Sequence, residues 1–261
     1  MSQYPVRAKK HLGQHFLTDE SVAKNSVDAM LDLDRSTSIV EVGPGTGVLT
    51  QHLIHLEHFL ALDVDNESVN YLKQKYPAEK DKILLADFLE YDLKQFAGKH
   101  YNVIGNFPYN ISSQIMFRIL ENKDQVNMVV GMFQREVALR LAEKPGSKVY
   151  GILSVLLQAF YNIEYLFTVS EQVFNPPPKV KSAVIRLTRN TVKKLDCDEV
   201  LFKKVVKTAF NQRRKTIRNS IRTLFNNNEI RHPLLDKRPE QLSVAQFVEL
   251  TQFVAEQSTE L

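Results

Sequence analysis

The sequence predicts a doubly wound α/β sheet followed by a small all-helical domain. Three observations carry that expectation. Short β-branched runs alternate with segments of helical period as far as Arg189. Four successive runs end on a polar or glycine residue, at Glu41/Gly43, Asp63, Asp87 and Asn106. Beyond Arg189 the alternation stops and only helical spacing remains. The division expected is therefore 1–189 for the sheet domain and 190–261 for the helical one.

Taken in order, Asp19 to Leu31 has helical spacing, with Thr18 or Asp19 as N-cap. Ser38–Val42 is a short apolar strand that stops at Gly43-Pro44-Gly45-Thr46-Gly47, with a helix from about Val48 to Glu57 behind it. His58–Leu62 reads as a second strand ending at Asp63-Val64-Asp65, followed by a helix over Glu67–Lys75. Ile83–Ala86 runs into Asp87, and Tyr101–Gly105 runs into Asn106. A helix over Ser112–Glu121, a strand over Val126–Phe133 and a helix over Glu136–Glu143 come next. After Pro145-Gly146 the pattern gives a helix at Gly151–Ala159 and strands at Ile163–Val169 and Ser182–Leu187. The tail reads as helices at about 198–211, 213–225 and 240–257.

Bulk properties exclude several classes. The chain has 261 residues, 43% hydrophobic and 25% charged, enough for one large domain or for one plus a small appendage. The longest apolar run, Ile152–Phe160, is far too short to span a bilayer, and the polar, basic start lacks a secretory core. A single cysteine, Cys197, precludes an internal disulfide and fits a reducing compartment, so a cytoplasmic location is expected; a monomer is expected separately. The net charge of +4 is unevenly placed. Residues 1–189 hold 21 basic against 21 acidic side chains, whereas 190–261 hold 13 against 9. Within 201–228 there are eight cations and no acid, which points to a polyanion partner.

In open α/β sheets ligands bind beyond the carboxyl ends of the strands. Gly43 and Gly45 allow a backbone turn to approach a nucleotide-like ligand, and Asp63 lies where a ribose hydroxyl pair would be held. The spacing Gly-x-Gly-x-Gly lacks the third glycine of a dinucleotide fingerprint, and Glu41 would repel a pyrophosphate. Glu41 suits instead a ligand with an ammonium and a sulfonium, S-adenosylmethionine, whose adenine amine Asp87 would accept. Each carboxylate alone would more simply be a helix cap worth about 1 kcal/mol, but together they favour a site.

Asn106-Phe107-Pro108-Tyr109 pairs with that cradle. An exocyclic amine on adenine shares its lone pair with the ring and is a poor nucleophile. The Asn106 amide oxygen and a backbone carbonyl at Phe107 or Pro108 can accept from its two hydrogens and help it become tetrahedral. The Tyr109 ring can stack on an extruded base.

The paired pattern Glu41 to Thr50 and Asn106 to Tyr109 resembles class I methyltransferases acting on planar amino nitrogens. Lys10-His11-Leu12-Gly13-Gln14-His15-Phe16-Leu17 is similar to the K-x-x-G-Q-x-F-L start of small-subunit rRNA adenine dimethyltransferases. Asn106 to Ser112 resembles their N-L-P-Y-N-I-S, Phe174 to Ser182 their F-x-P-x-P-x-V-x-S, and Ala209 to Ser220 their A-F-x-Q-R-R-K-T-L-R-N-S. The resemblance covers nearly the whole chain. It implies a Rossmann-like methyltransferase sheet and dimethylation of two adjacent adenosines in the 3′-terminal hairpin of small-subunit rRNA. It also implies that His15, Leu17, Gly43, Asp63, Asp87 and Asn106 line the cofactor site. Asn106 and Pro108 would then orient the amine, while Tyr109 and Phe174 sandwich the base. His15 stands where the family commonly has Asn, and Asp63 where Glu is usual.

Remaining signals are weighed beside these. His52, His55 and His58 drift around a helix without an intervening carboxylate, so solvated histidines are expected and no metal. Lys207, Arg214, Arg218 and Arg222 share one helical face, with Arg213 and Lys215 beside them, while Ile217, Ile221 and Leu224 form a second, inward face. The acid-free run is expected to bind phosphates of rRNA rather than to be a merely solvated face. Competing readings are a large-subunit rRNA adenine methyltransferase conferring antibiotic resistance and a non-catalytic RNA-binding assembly factor. A protein glutamine methyltransferase would usually carry Asn-Pro-Pro-Tyr and would not need the basic tail.

Overall fold

The computed structural model describes residues 6–32, 37–93, 100–225 and 231–259. A seven-stranded sheet organises the first part of the chain. Its strands are β2 (Ser38–Val42), β3 (Phe59–Asp63), β4 (Ile83–Leu85), β5 (Tyr101–Asn106), β6 (Val126–Gln134), β7 (Tyr161–Val169) and β9 (Ser182–Arg189). The order across the sheet is β4-β3-β2-β5-β6-β9-β7. The neighbours from β4 to β6 are parallel, and β9 runs antiparallel to β6. The order reverses direction at β2, between β3 and β5, so their carboxyl ends open on the crevice where such sheets bind ligands.

The expected alternation is present, and the fold is a doubly wound α/β sheet with a helical tail. β2 is buried along its whole length, which explains its near-continuous apolar run. The helix α1 (Glu20–Leu31) begins at Asp19, whose Oδ1 accepts from the backbone N–H groups of Ser21 (2.8 Å) and Val22 (3.1 Å). α2 is only Thr50–Leu53, because the glycine turn extends through Leu49 before the chain coils. α3 (Asn66–Lys75) and α4 (Ser112–Glu121) follow β3 and β5, each turning Val, Leu, Ile or Met side chains into the core. α5 (Arg135–Ala142) and α6 (Ile152–Gln158) succeed β6. A small ladder escapes the alternation: β1 (Phe16–Leu17) pairs antiparallel with β8 (Phe174–Asn175), as Phe16 with Asn175 and Leu17 with Phe174.

Contacts divide the chain into two compact units. One comprises the chain to Ala138 together with Ile163–Arg189, and the other comprises Leu139–Asn162 and the chain from Asn190. The second unit packs α6, α7 (Glu199–Asn211), α8 (Ile217–Ser220) and α9 (Val244–Thr259) around Phe202, Val206, Ile217, Phe247 and Leu250. Phe210 stacks on Phe247 at 5.9 Å between ring centroids. The helix expected over 213–225 is not continuous. α7 stops at Asn211, Gln212–Thr216 forms a turn closed by Lys215 N–H to Gln212 O (2.7 Å), and only Ile217–Ser220 is α-helical. Ile217 and Ile221 are nonetheless fully buried, as their spacing implied.

Candidate active site

The cradle begins where β2 ends. Gly43, Gly45 and Gly47 all adopt positive φ, at 68°, 56° and 82°. At Gly45 a side chain would be strained by the backbone and would also place a Cβ 2.8 Å from the Phe16 ring. The turn is held by Gly43 N–H to Leu62 O (2.9 Å) and Gly47 N–H to Pro44 O (2.8 Å). Asp63, at the end of β3, ties this turn to its own. Its Oδ2 accepts from Gly45 N–H (3.1 Å) and its Oδ1 from Asp65 N–H (2.9 Å). Burial pushes the Asp63 carboxyl up to about 6 even though these N–H groups oppose the shift. Asp87 lies two residues past the end of β4, with Oδ1 accepting from Leu89 N–H (2.8 Å).

Glu41 is placed differently from its expected role. It is 1% exposed and outside the cavity lining, and its Oε2 accepts from Thr50 Oγ1 at 2.8 Å. Burial raises its carboxyl to about 8, with the Thr50 hydrogen bond opposing and the Asp63 charge adding. At neutral pH it is therefore a neutral acid supporting the turn from behind.

The tetrapeptide closes the other wall. Asn106 ends β5, and its Nδ2 donates to His15 O at 2.8 Å. That bond fixes which way the amide faces and leaves Oδ1 as the acceptor for a ligand. Phe107, though buried, lines the cavity together with Pro108 and Tyr109. The Tyr109 hydroxyl bonds Ser182 Oγ, and Ser112 Oγ donates to Tyr109 O (3.2 Å). Burial raises the Tyr109 phenol above its usual value, against the Ser182 bond.

An N-terminal strap completes the cavity. Leu12 to Phe16 lie along it, and Gly13 takes φ 65°. Lys9 pairs with Asp65 and lies 3.6 Å from Glu67, while Gln14 Nε2 donates to Asp65 Oδ2 (3.1 Å). Burial disfavours the Asp65 charge, but Lys9, Gln14 and the Glu67 N–H outweigh it and hold the carboxyl below its ordinary value. The His15 ring stacks on Tyr109 at 5.5 Å and 27°, and its Nδ1 is 2.8 Å from Pro176 O. A carbonyl only accepts, so Nδ1 carries a proton in that contact.

The cavity thus gathers His15, Gly43, Gly45, Asp63, Asp87, Asn106, Pro108 and Tyr109 from segments far apart in the chain. It also takes in Gln14, Val64, Leu89 and Asn110, none of which the sequence singled out for a role. Leu17 and Phe174 are not in the lining. Each is buried in the core, and their β1–β8 pairing turns both side chains inward. His15, not Phe174, rests against Tyr109 here.

In the second unit the basic residues sit on separate pieces rather than along one helix. Lys207 is on α7, Arg213, Arg214 and Lys215 are on the exposed turn, Arg218 is on α8, and Arg222 opens a short 3₁₀ segment. Arg213 donates to Lys148 O, and Arg218 pairs with Asp236 at 3.0 Å. A shallow concavity is lined by Phe210 to Lys215. No group of His, Cys, Asp and Glu among the described residues is arranged to hold a metal, and no described helix is long and apolar enough to cross a membrane.

Comparison with known proteins adds to this geometry. The family model for ribosomal RNA adenine dimethylase matches residues 6–256. A protein of Parabacteroides distasonis named ribosomal RNA small subunit methyltransferase A is 57% identical, over 94% of this chain and 93% of its own. One of the same name from Cytophaga hutchinsonii is 52% identical, over 96% and 98%. Among solved structures, a dimethyladenosine transferase from Plasmodium falciparum superposes with a TM-score of 0.77 at 20% identity, covering 94% of this chain and 98% of its own. The 23S rRNA methyltransferase ErmE gives 0.67 at 22% identity, over 91% and 99%, so these two share the fold. By a match that runs from the N-terminal strap to the last helix, the chain belongs to the ribosomal RNA adenine dimethylase family.

Proposed function

We infer that this protein transfers methyl groups from S-adenosylmethionine to the exocyclic amines of two adjacent adenosines in the 3′-terminal hairpin of small-subunit rRNA. The observation that carries the reading is the orientation of Asn106. With Nδ2 bonded to His15 O, its carbonyl oxygen is the group available beside Pro108 and Tyr109 in the cavity. The positive-φ turn and the two aspartates at the ends of neighbouring strands fit the donor. The turn admits close backbone approach at Gly43 and Gly45, and Asp63 and Asp87 suit its ribose hydroxyls and adenine amine.

When bound, the donor would supply a methyl group already activated on a sulfonium; the S–CH3 bond pair stays with the departing thioether and the methylated amine gives its proton to water after transfer, so no strong base is required of the protein. Asn106 Oδ1 and a carbonyl of the Phe107-Pro108 segment accept from the target amine and favour its tetrahedral form. Tyr109 provides a face for the extruded base. Glu41, Leu17 and Phe174 act from behind the cavity by fixing the turn and the β1–β8 ladder. Lys207, Arg213, Arg214, Lys215, Arg218 and Arg222 bind RNA phosphates, with cytoplasmic immature small subunits as the substrate.

Incubation with labelled S-adenosylmethionine and immature small subunits, large subunits or free RNA tests the reading. Dimethyladenosine near the 3′ end of small-subunit rRNA is expected, and label confined to large-subunit rRNA would replace it with the large-subunit activity. Asn106→Ala should lower kcat by roughly 10²–10³-fold, as loss of one preorganised polar group does, with a smaller change in cofactor affinity. Full activity in that variant would refute the clamp.

A further inference from the structure

Gly105 and Gly131 occupy the interiors of β5 and β6 and stand directly opposite each other in the sheet register. Glycine weakens a strand, and neither residue has a positive φ to require it. What the two share is room for the Phe107 ring, Gly131 making room for the Phe133 ring as well. A Cβ on Gly105 would lie 2.8 Å from Cε1 and 2.9 Å from Cδ1 of Phe107. A Cβ on Gly131 would collide with Cε2 of the same ring and lie 2.9 Å from its Cδ2. The two glycines therefore face opposite edges of Phe107, whose ring lies across both. Phe133 closes the socket edge-on at 5.2 Å and 74°. The ring is 1% exposed, and its backbone N–H reaches Met132 O at 3.3 Å.

Phe107 is the residue between Asn106 and Pro108, so the seat of its ring fixes the backbone that carries both. We propose that the cross-strand pair Gly105/Gly131 is a positioning device for the amine clamp, setting the placement of Asn106 and Pro108 through Phe107. Gly131 touches no ligand in this assignment, and it lies outside both the glycine turn and the tetrapeptide. The proposal rests on the clamp reading given above.

Gly105 is not a clean probe, because a Cβ there would also come within 2.5 Å of Val42 O beside the cofactor turn. Gly131→Ala meets only side chains, those of Phe107 and Phe133. The experiment measures kcat on immature small subunits, equilibrium binding of S-adenosylmethionine, and Tm for Gly131→Ala, Phe107→Leu and the double variant. Leucine is the residue of the resembling family segment at position 107 and lacks the ring edge that meets Gly131. The expected result is a kcat loss on the order of 10–100-fold in Gly131→Ala with cofactor Kd within about threefold, since displacements of up to 1 Å carry such penalties. The double variant should recover most of the kcat of Phe107→Leu alone.

Gly131→Ala with kcat within twofold of the parent would overturn the proposal. So would a loss of kcat matched by equal loss of cofactor binding and not rescued in the double variant, which would make Gly131 only a stability residue. If Gly131→Ala fails to fold, the comparison of the double variant with Phe107→Leu decides, and a double variant still impaired more than tenfold sinks the idea. Asn106→Ala separates the two levels. A fully active Asn106→Ala removes the clamp itself, whereas an inactive Asn106→Ala beside an unaffected Gly131→Ala removes only the socket.

Discussion

Replacing Glu41 by Gln should uncouple the stability of the sheet unit from pH above neutrality. Glu41 is buried, with Thr50 Oγ1 as its hydrogen-bond donor, and its carboxyl is held at about 8 against an ordinary 4.5. An acid whose folded pKa is raised stabilises the fold fully only below its unfolded pKa. The contribution then falls as pH rises from 4.5 and is gone above 8. The whole effect is on the order of 5 kcal/mol. Asp63 titrates at about 6 in the fold, so the window from pH 6.5 to 8.5 isolates Glu41. Across that window the parent should lose about 2 kcal/mol that the glutamine variant keeps, because Gln mimics the neutral acid and still accepts from Thr50. Thermal unfolding of the ligand-free proteins should show a Tm gap widening by roughly 5 °C in favour of Glu41→Gln. Parallel Tm curves for the two proteins from pH 6.5 to 8.5 would refute a neutral buried Glu41.

Other perturbations separate the parts of the site. Gly13→Ala puts a Cβ 2.5 Å from Asn110 Oδ1 on a backbone with φ 65°. The strap should loosen, raising the Kd for S-adenosylmethionine by calorimetry about tenfold while Tm falls by only a few degrees. Ser182→Ala removes the partner of the Tyr109 hydroxyl, and kcat should fall several-fold, about 1 kcal/mol, with cofactor Kd unchanged in the same assay. Substituting Arg213, Arg214 and Lys215 together by Ala should lower the slope of log affinity against log salt for small-subunit RNA by about 2–3, measured by filter binding. An unchanged slope would move the RNA surface elsewhere.

Much of this arrangement was legible because its cues are local. Ser38–Val42 and Tyr101–Asn106 are apolar runs bounded by polar punctuation, and Ser112–Glu121 has a clear helical period, so their bounds needed little adjustment. The clustering of Gly43, Asp63, Asp87 and Asn106 follows from topology alone once the strands are parallel. The rest depends on nonlocal choices. β1 and β8 are two residues each, too short for any period, and their pairing is what buries Leu17 and Phe174. β2 is buried throughout, so alternation gives no clue to where Glu41 points. The basic segment kept its buried Ile217 and Ile221 but not its continuity. A 3.6-residue spacing survives a turn at Gln212–Thr216 that carries neither glycine nor proline.

The pairing of the first strand with the eighth also has a consequence in time. A ribosome adding about 5–20 residues per second needs roughly 8–30 s to pass from Leu17 to Phe174. During that interval β2 to β5 can assemble with the turn and both aspartates, while the strap has no strand to lie against. Asn106 is oriented by His15, and His15 is held by Pro176, so the amine wall is finished only when the chain beyond β8 has emerged. A nascent chain would accordingly hold the glycine turn and both aspartates in place well before the strap and the amine wall close over them.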